Sequence, residues 1–340
     1  MSAANSSAPA ARTPLRSGLR EIAQRREYGV AILLAVTLTI VAVANPNFLQ
    51  AGVLRDILVN NAAFAIIACG VTFVIVTGEI DISVGSLAGL LAAVIGLLSS
   101  SDYAGMSIAW VVPVVLGIGT AVGVTNGLLV AYLRVPSIIV TLGMLTALRG
   151  VTEILMEGKW IQNLPQDLRY LGTGAILGVP VSVWTAAVVI GGCMILATRT
   201  PLGRRIYAVG SNVQAARLAG LSPRRIKLFA FTLTGFLVAV AALVSVPKLS
   251  VIDPGIGKGW ELFVITAVVV GGTSVSGGKG TLAGTVLGVL LLGIVGTVLI
   301  FLRLGDRATY WERAIQGGFI LLAVLVDHLS RRRDAGEEAH

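Results

Sequence analysis

The sequence predicts an all-α polytopic membrane protein of about ten transmembrane helices, with N- and C-termini cytosolic. Three observations predict it. The 340 residues are 55% hydrophobic and only 13% charged, roughly half the charged share of a soluble domain. Apolar runs approach the roughly 20 residues that cross a bilayer at ten places: 29–44, 53–76, 84–99, 108–131, 138–154, 181–197, 228–246, 260–275, 281–301 and 313–328. The loops that these runs define hold 17 lysines and arginines on one side and 6 on the other, and the richer side faces the cytosol. The net charge of +9 therefore reports membrane orientation and calls for no nucleic acid, because the cations sit at the ends of apolar spans.

The elements follow in order. Residues 1–28 are small, polar and basic, a disordered cytosolic tail running into an amphipathic lead. The run 29–44 is followed by Asn45-Pro46-Asn47-Phe48 and not by a small-residue cleavage site, so it reads as a retained span. Between the second and third spans, VTGEIDISVGSLAG (76–89) places Glu79, Asp81 and Ser83 in an apolar background. The two carboxylates are two residues apart and share no helix face. Either they cap a helix start at a turn, or they face a translocation pathway or pair with a buried base. Asn60 and Asn61 in the second span, Asn126 in the fourth and Thr141 in the fifth are interhelical glue or pathway lining. Pro136 suits the first turn of the fifth span. Near that span's far end Arg149 and Glu153 are spaced to pair.

Residues 155–180 and 247–259 read as exterior loops, the first with a short helix, and both are candidate contacts for a soluble delivery protein. The cytosolic loop 198–227 carries seven basic residues and no acidic one. Within it Asn212 or Ser211 caps a helix over 213–218, Gly220 ends that helix, and Pro223 opens the next. Small Ala215 and Ala216 beside Leu218 and Leu221 make this a rigid knob for a cytosolic protein, or else a loop held by lipid phosphates. GGTSVSGGKGTLAG (271–284) loosely echoes 76–89, which reflects either two halves of broken helices about a central pathway or chance in a Gly/Val/Ser-rich sequence. The two histidines lack metal-ligand spacing, and no hydrolase motif occurs. No catalytic residue and no metal site follow, so energy for transport must come from elsewhere.

Four blocks carry a resemblance. GEIDISVGS (78–86) resembles GGIDLSVGS, with Glu79 where glycine is commoner. VPSIIVTLGMLTALRG (135–150), the basic stretch 203–227 and GGTSVSGGKGTLAGTVLG (271–288) match three further blocks in order. Over about residues 30–328 the chain resembles the permease subunits of bacterial ABC monosaccharide importers, the ribose-type family. The first block leans toward the rhamnose or autoinducer-2 branch. The resemblance implies a permease domain over 29–328 in the bacterial inner membrane, with 198–227 as its coupling loop and 329–340 as a cytosolic tail. It implies a second permease copy, like or unlike, and two cytosolic ATP-binding subunits or one fused tandem ATPase. These partners hold ATP and Mg, and the chain itself binds no cofactor. A periplasmic sugar-binding protein would deliver substrate. Asn212, Ala215, Ala216, Leu218, Gly220 and Leu221 would couple to the ATPase. Asn60, Asn61, Glu79, Asp81, Ser83, Asn126 and Thr141 are the candidate pathway or gate residues. The competing classes are an ion-coupled secondary transporter, a non-transporting scaffold, and an ABC permease for nucleosides, autoinducer-2 or branched-chain amino acids.

Overall fold

The structure is a computed structural model that describes residues 26–302 and, from 311 to 325, all but 313, 320, 323 and 324. The tail expected at 329–340, nearly all of that expected at 1–28, and part of the span expected at 313–328 lie outside the described residues.

The elements are α1 (Arg26–Ala44), α2 (Ala51–Val76), α3 (Val84–Ser99), α4 (Ile108–Ala131), α5 (Ser137–Met156) and a short α6 (Gln166–Thr173). A small hairpin of β1 (Ala175–Ile176) and β2 (Val179–Pro180) leads into α7 (Val181–Arg199), α8 (Pro201–Ser211) and α9 (Val213–Leu218). The chain closes with α10 (Pro223–Ser245), α11 (Trp260–Val270), α12 (Leu282–Gly293) and α13 (Val295–Phe301). The protein is thus helical and polytopic. Among the described residues seven helices are long and apolar enough to cross a membrane: α1, α2, α4, α5, α7, α10 with the 3₁₀ turn to Lys248, and α12 running on through α13.

The expected runs 84–99 and 260–275 differ from the rest. α3 has 16 residues and α11 only 11, because Gly271 and Gly272 end it. At 1.5 Å per residue they reach about 24 and 16 Å, short of a hydrocarbon core about 30 Å thick. The helix that carries the seventh run starts at Pro223, as expected, because the proline fits the first helical turn.

Burial sorts the helices into layers. α2 is 83% buried over its most apolar stretch, whereas α1, α4, α5 and α7 bury 11 to 22% of theirs. Their open faces carry Ile32, Val43, Trp110, Ile154 and Val188, side chains that need lipid and not water around them. α10 runs through the centre and packs chiefly against α4 and α2. The α4 contact is a seam of small residues: Gly119, Gly123 and Gly127 lie one turn apart and meet Gly235, Phe231 and Leu228 of α10 at backbone distance.

Connectors gather at two ends. At one, Gly278 N donates to Val76 O (2.8 Å), Tyr207 Oη to Gly280 O (2.9 Å) and Ile80 N to Ser137 Oγ (3.2 Å). The loops that the charge count assigns to one side therefore share an end, and the two echoing segments meet there. At the other end Ser100 Oγ donates to Gln162 O, and Ile161 bridges Ile252.

The 247–259 segment corrects its reading as a plain exterior loop. It runs back along α3, whose Gly85, Gly89 and Gly96 leave room for Gly257, Ile256 and Ile252. Arg149 does not close on Glu153 as its spacing suggests; its Nη1 donates to Pro254 O (3.2 Å) and Ile256 O (3.0 Å). Arg149 is twelve residues from Ser137 on α5, about 18 Å along the axis. The segment is therefore drawn well into the bundle, and α11 starts from inside it.

Candidate functional site

Three groups of residues bear on function. The first is the basic end. α8 was not foreseen as a helix; Thr200 caps it, its Oγ1 accepting from Gly203 N at 3.1 Å. Gly210 of α8 packs so closely that a Cβ there would lie 1.7 Å from Val76 O, which fixes α8 against the end of α2. α9 follows at once. Asn212 Oδ1 accepts from Gln214 N and Ala215 N at 2.9 Å, and Gly220 turns the chain at φ +78°, a conformation in which glycine costs least. Leu218 stands 91% exposed at the tip, and Ala215 and Gly220 are open beside it. Ala216 is buried, so it seats α9 on its own protein and offers nothing to a partner surface. Leu221 is half-buried.

Nine residues after Leu218, Lys227 Nζ donates to Glu79 Oε1. Both side chains are largely buried, at 20% and 15% exposure. Glu79 is thus held by an ion pair and largely withdrawn from water. It ties the α2–α3 loop to the first turns of α10, and sequence reasoning saw Lys227 only as part of a basic run. Lys227→Met is expected to lower the melting midpoint, costing about 2 kcal/mol, between the values for exposed and buried pairs. The double variant with Glu79→Gly should recover most of that loss in a thermal-shift measurement.

The second group is a packed polar junction at the start of α3. Asp81 Oδ1 accepts from Ser83 N (2.9 Å) and Ser83 Oγ (2.6 Å), and Asn126 Nδ2 donates to Ser83 Oγ (3.0 Å). Thr141 Oγ1 donates to Ser137 O at 2.9 Å. All four side chains are buried. Burial raises the Asp81 carboxyl above its usual range, and the Ser83 and Asn126 bonds oppose that rise. These residues join α3, α4 and α5 to the loop, and none of them lines the cavity described next.

The third group surrounds a cavity of about 740 Å³ between α2, α11 and the stretch after residue 310. Asn60 and Asn61 reach it, as the sequence suggested. Asn61 Nδ2 is spent on Ile57 O (2.8 Å), and Gly293 is bare where a Cβ would strike Asn61 Oδ1 at 1.7 Å. Sequence reasoning missed Phe64, Trp260, Phe263, Glu312 and Gln316, which also line it. The aromatics read there only as apolar content. The available signal was the spacing, since Asn60/Phe64 and Glu312/Gln316 are each four apart and share a face.

Comparison with known proteins bears on what this arrangement serves. The family model described as "Branched-chain amino acid transport system / permease component" matches residues 53–324. The ribose import permease protein RbsC of Haemophilus influenzae is 39% identical over 301 residues, covering 87% of this chain and 91% of that protein. RbsC of Escherichia coli K12 is 39% identical over 303 residues, 87% of this chain and 92% of its own. The autoinducer 2 import system permease protein LsrC of Yersinia enterocolitica is 35% identical over 304 residues, 89% and 82% respectively. No solved structure matches the chain. The chain therefore belongs to this family of ABC-importer permeases, multi-pass proteins of the inner membrane, and its likeness lies with the ribose-type members.

Proposed function

We propose that this chain is the membrane subunit of an ATP-driven importer for a small neutral sugar, working with a second permease copy, cytosolic ATPase subunits and a periplasmic sugar-binding protein. About ten crossings with both termini in the cytosol place α9 where an ATPase can reach it. The ATPases bind ATP and Mg, and this chain supplies the pathway and the contact. The observation that carries the reading is α9 itself: a doubly capped, six-residue helix with Leu218 held 91% exposed at the basic end. Such a helix fits a groove on a partner better than it fits water. Relatives of the chain are named for ribose import and for autoinducer 2 import, and the first of these supports a small neutral sugar. The two carboxylates of the α2–α3 loop give an ion-coupled carrier no support, because Glu79 is engaged by Lys227 and Asp81 by Ser83.

The test is uptake of labelled D-ribose into proteoliposomes holding permease, ATPase and binding protein. Uptake should need all three proteins and ATP. Uptake driven by a proton or sodium gradient without the ATPase would overturn the reading.

A further inference from the structure

We infer that the cavity between α2 and α11 is a solute-binding station that takes a neutral, pentose-sized polyol against Trp260. The inference rests on the importer reading above and names the residues through which that substrate class would be held.

Three short stretches of helix converge on this space, and each brings residues of matching spacing. α2 presents Asn60 and Phe64, α11 presents Trp260 and Phe263, and the stretch after residue 310 presents Glu312 and Gln316. Every pair is three or four residues apart, so both members lie on one helix face. The aromatics form one wall: Phe64 meets Trp260 edge-on at 5.0 Å and Phe263 at 4.5 Å between ring centroids. That contact fixes the indole without filling the space beside it.

Beside the wall the cavity is lined by groups suited to hydroxyls. Asn60 is exposed, and its carboxamide carries no hydrogen bond among the described residues, leaving two donors and an acceptor for a ligand. Glu312 Oε1 accepts from Gln316 Nε2 at 3.3 Å, which orients the carboxylate and leaves its other oxygen as an acceptor. A carboxylate and two carboxamides beside an aromatic wall suit a molecule with C–H on one face and hydroxyls around its edge.

Charge narrows the class. Lys258 and Glu312 both line the cavity, so its formal charge is balanced. An anionic sugar phosphate would meet Glu312, and a cation would meet Lys258. The serious rival is a zwitterionic amino acid, with its carboxylate toward Lys258 and its ammonium toward Glu312. One observation weighs against that rival: Lys258 is exposed, so water competes with a ligand carboxylate for its ammonium. A volume of about 740 Å³ falls within the usual range of roughly 300–1,000 Å³ for small-molecule pockets.

The experiment is site-specific protection. Leu262 lines the cavity and is 58% exposed, and the native Cys69 and Cys193 are both buried. In the reconstituted full importer, Leu262→Cys is labelled with a small neutral maleimide, with or without millimolar D-ribose or L-leucine. D-ribose is expected to slow labelling roughly fivefold near saturation, and L-leucine to leave it unchanged. Adding Trp260→Leu should abolish protection and Trp260→Phe should keep most of it, each checked for the same monodisperse elution as the parent. Unchanged labelling in D-ribose, or protection by L-leucine alone, would overturn the inference. If Trp260→Leu does not fold, Asn60→Leu carries the same expectation from outside the aromatic wall. Ribose uptake by the parent importer is measured alongside. Uptake without protection removes only this station, whereas absence of ATP-driven sugar uptake removes the importer reading itself.

Discussion

Gly123→Leu is expected to leave little folded protein. A Cβ at Gly123 would meet Phe231 O at 2.5 Å and Thr232 Cα at 3.1 Å, both backbone atoms of α10. One turn either side the fit is as close, with Gly119 against Gly235 O (2.6 Å) and Gly127 against Leu228 Cα (3.0 Å). A side-chain rotamer cannot relieve a clash with backbone, so α4 and α10 would have to part along the whole seam. Overpacking typically costs about 1–3 kcal/mol, and the rigid neighbours here put the loss at or above the top of that range. α10 also packs on α2 and α3, so displacing it disturbs the centre of the bundle. Against a total stability of about 5–15 kcal/mol, the yield of monodisperse protein should fall about tenfold and its melting midpoint should drop. Gly117→Leu is the control. It lies six residues away on the same helix with nothing within 4 Å of its added Cβ, and it should behave like the parent.

That seam was legible as composition but not as geometry. The 41 glycines of the sequence suit close helix packing, yet which of them face a partner depends on how α4 and α10 cross, and no local pattern states it. The long spans were legible because a run of apolar residues about 20 long has few other places to go. α3 and α11 looked the same by composition and differ by context. Gly85, Gly89 and Gly96 accept a chain of turns inside the bundle, so a loop that reads as exterior is drawn inward and α11 begins deep. The α9 grammar was readable because capping is local: Asn212 and Gly220 each act within four residues. Glu79 and Lys227 are 148 residues apart, and nothing in either neighbourhood announces the other. The same holds for the cavity, whose walls come from three distant parts of the chain.

Leu218→Glu is expected to uncouple the importer. Leu218 is 91% exposed on a helix too short to be stable alone, and it is held in place by Asn212 at one end and Gly220 at the other. No described residue covers it, and on the proposed reading its partner is the ATPase. Loss of an anchoring side chain at a protein interface commonly costs about 2 kcal/mol or more, and every 1.4 kcal/mol is about tenfold in affinity. Placing a carboxylate in an apolar groove adds desolvation to that cost. ATP-dependent uptake should fall by tenfold or more, while the amount of permease in the membrane stays the same, because Leu218 touches little of its own protein. Ala216→Leu should act differently. Ala216 is 5% exposed, so the larger side chain unseats α9 and lowers the melting midpoint as well as uptake. The two readings of the basic end part on this measurement. If lipid phosphates alone hold the loop, Leu218→Glu leaves uptake unchanged, and replacing Arg217, Arg224 and Arg225 by glutamine lowers it in proportion to the anionic lipid present. If α9 is the element on which an ATPase pushes, the leucine decides uptake and the arginines matter less. Parallel assays of uptake and ATP hydrolysis on the same vesicles separate the two outcomes.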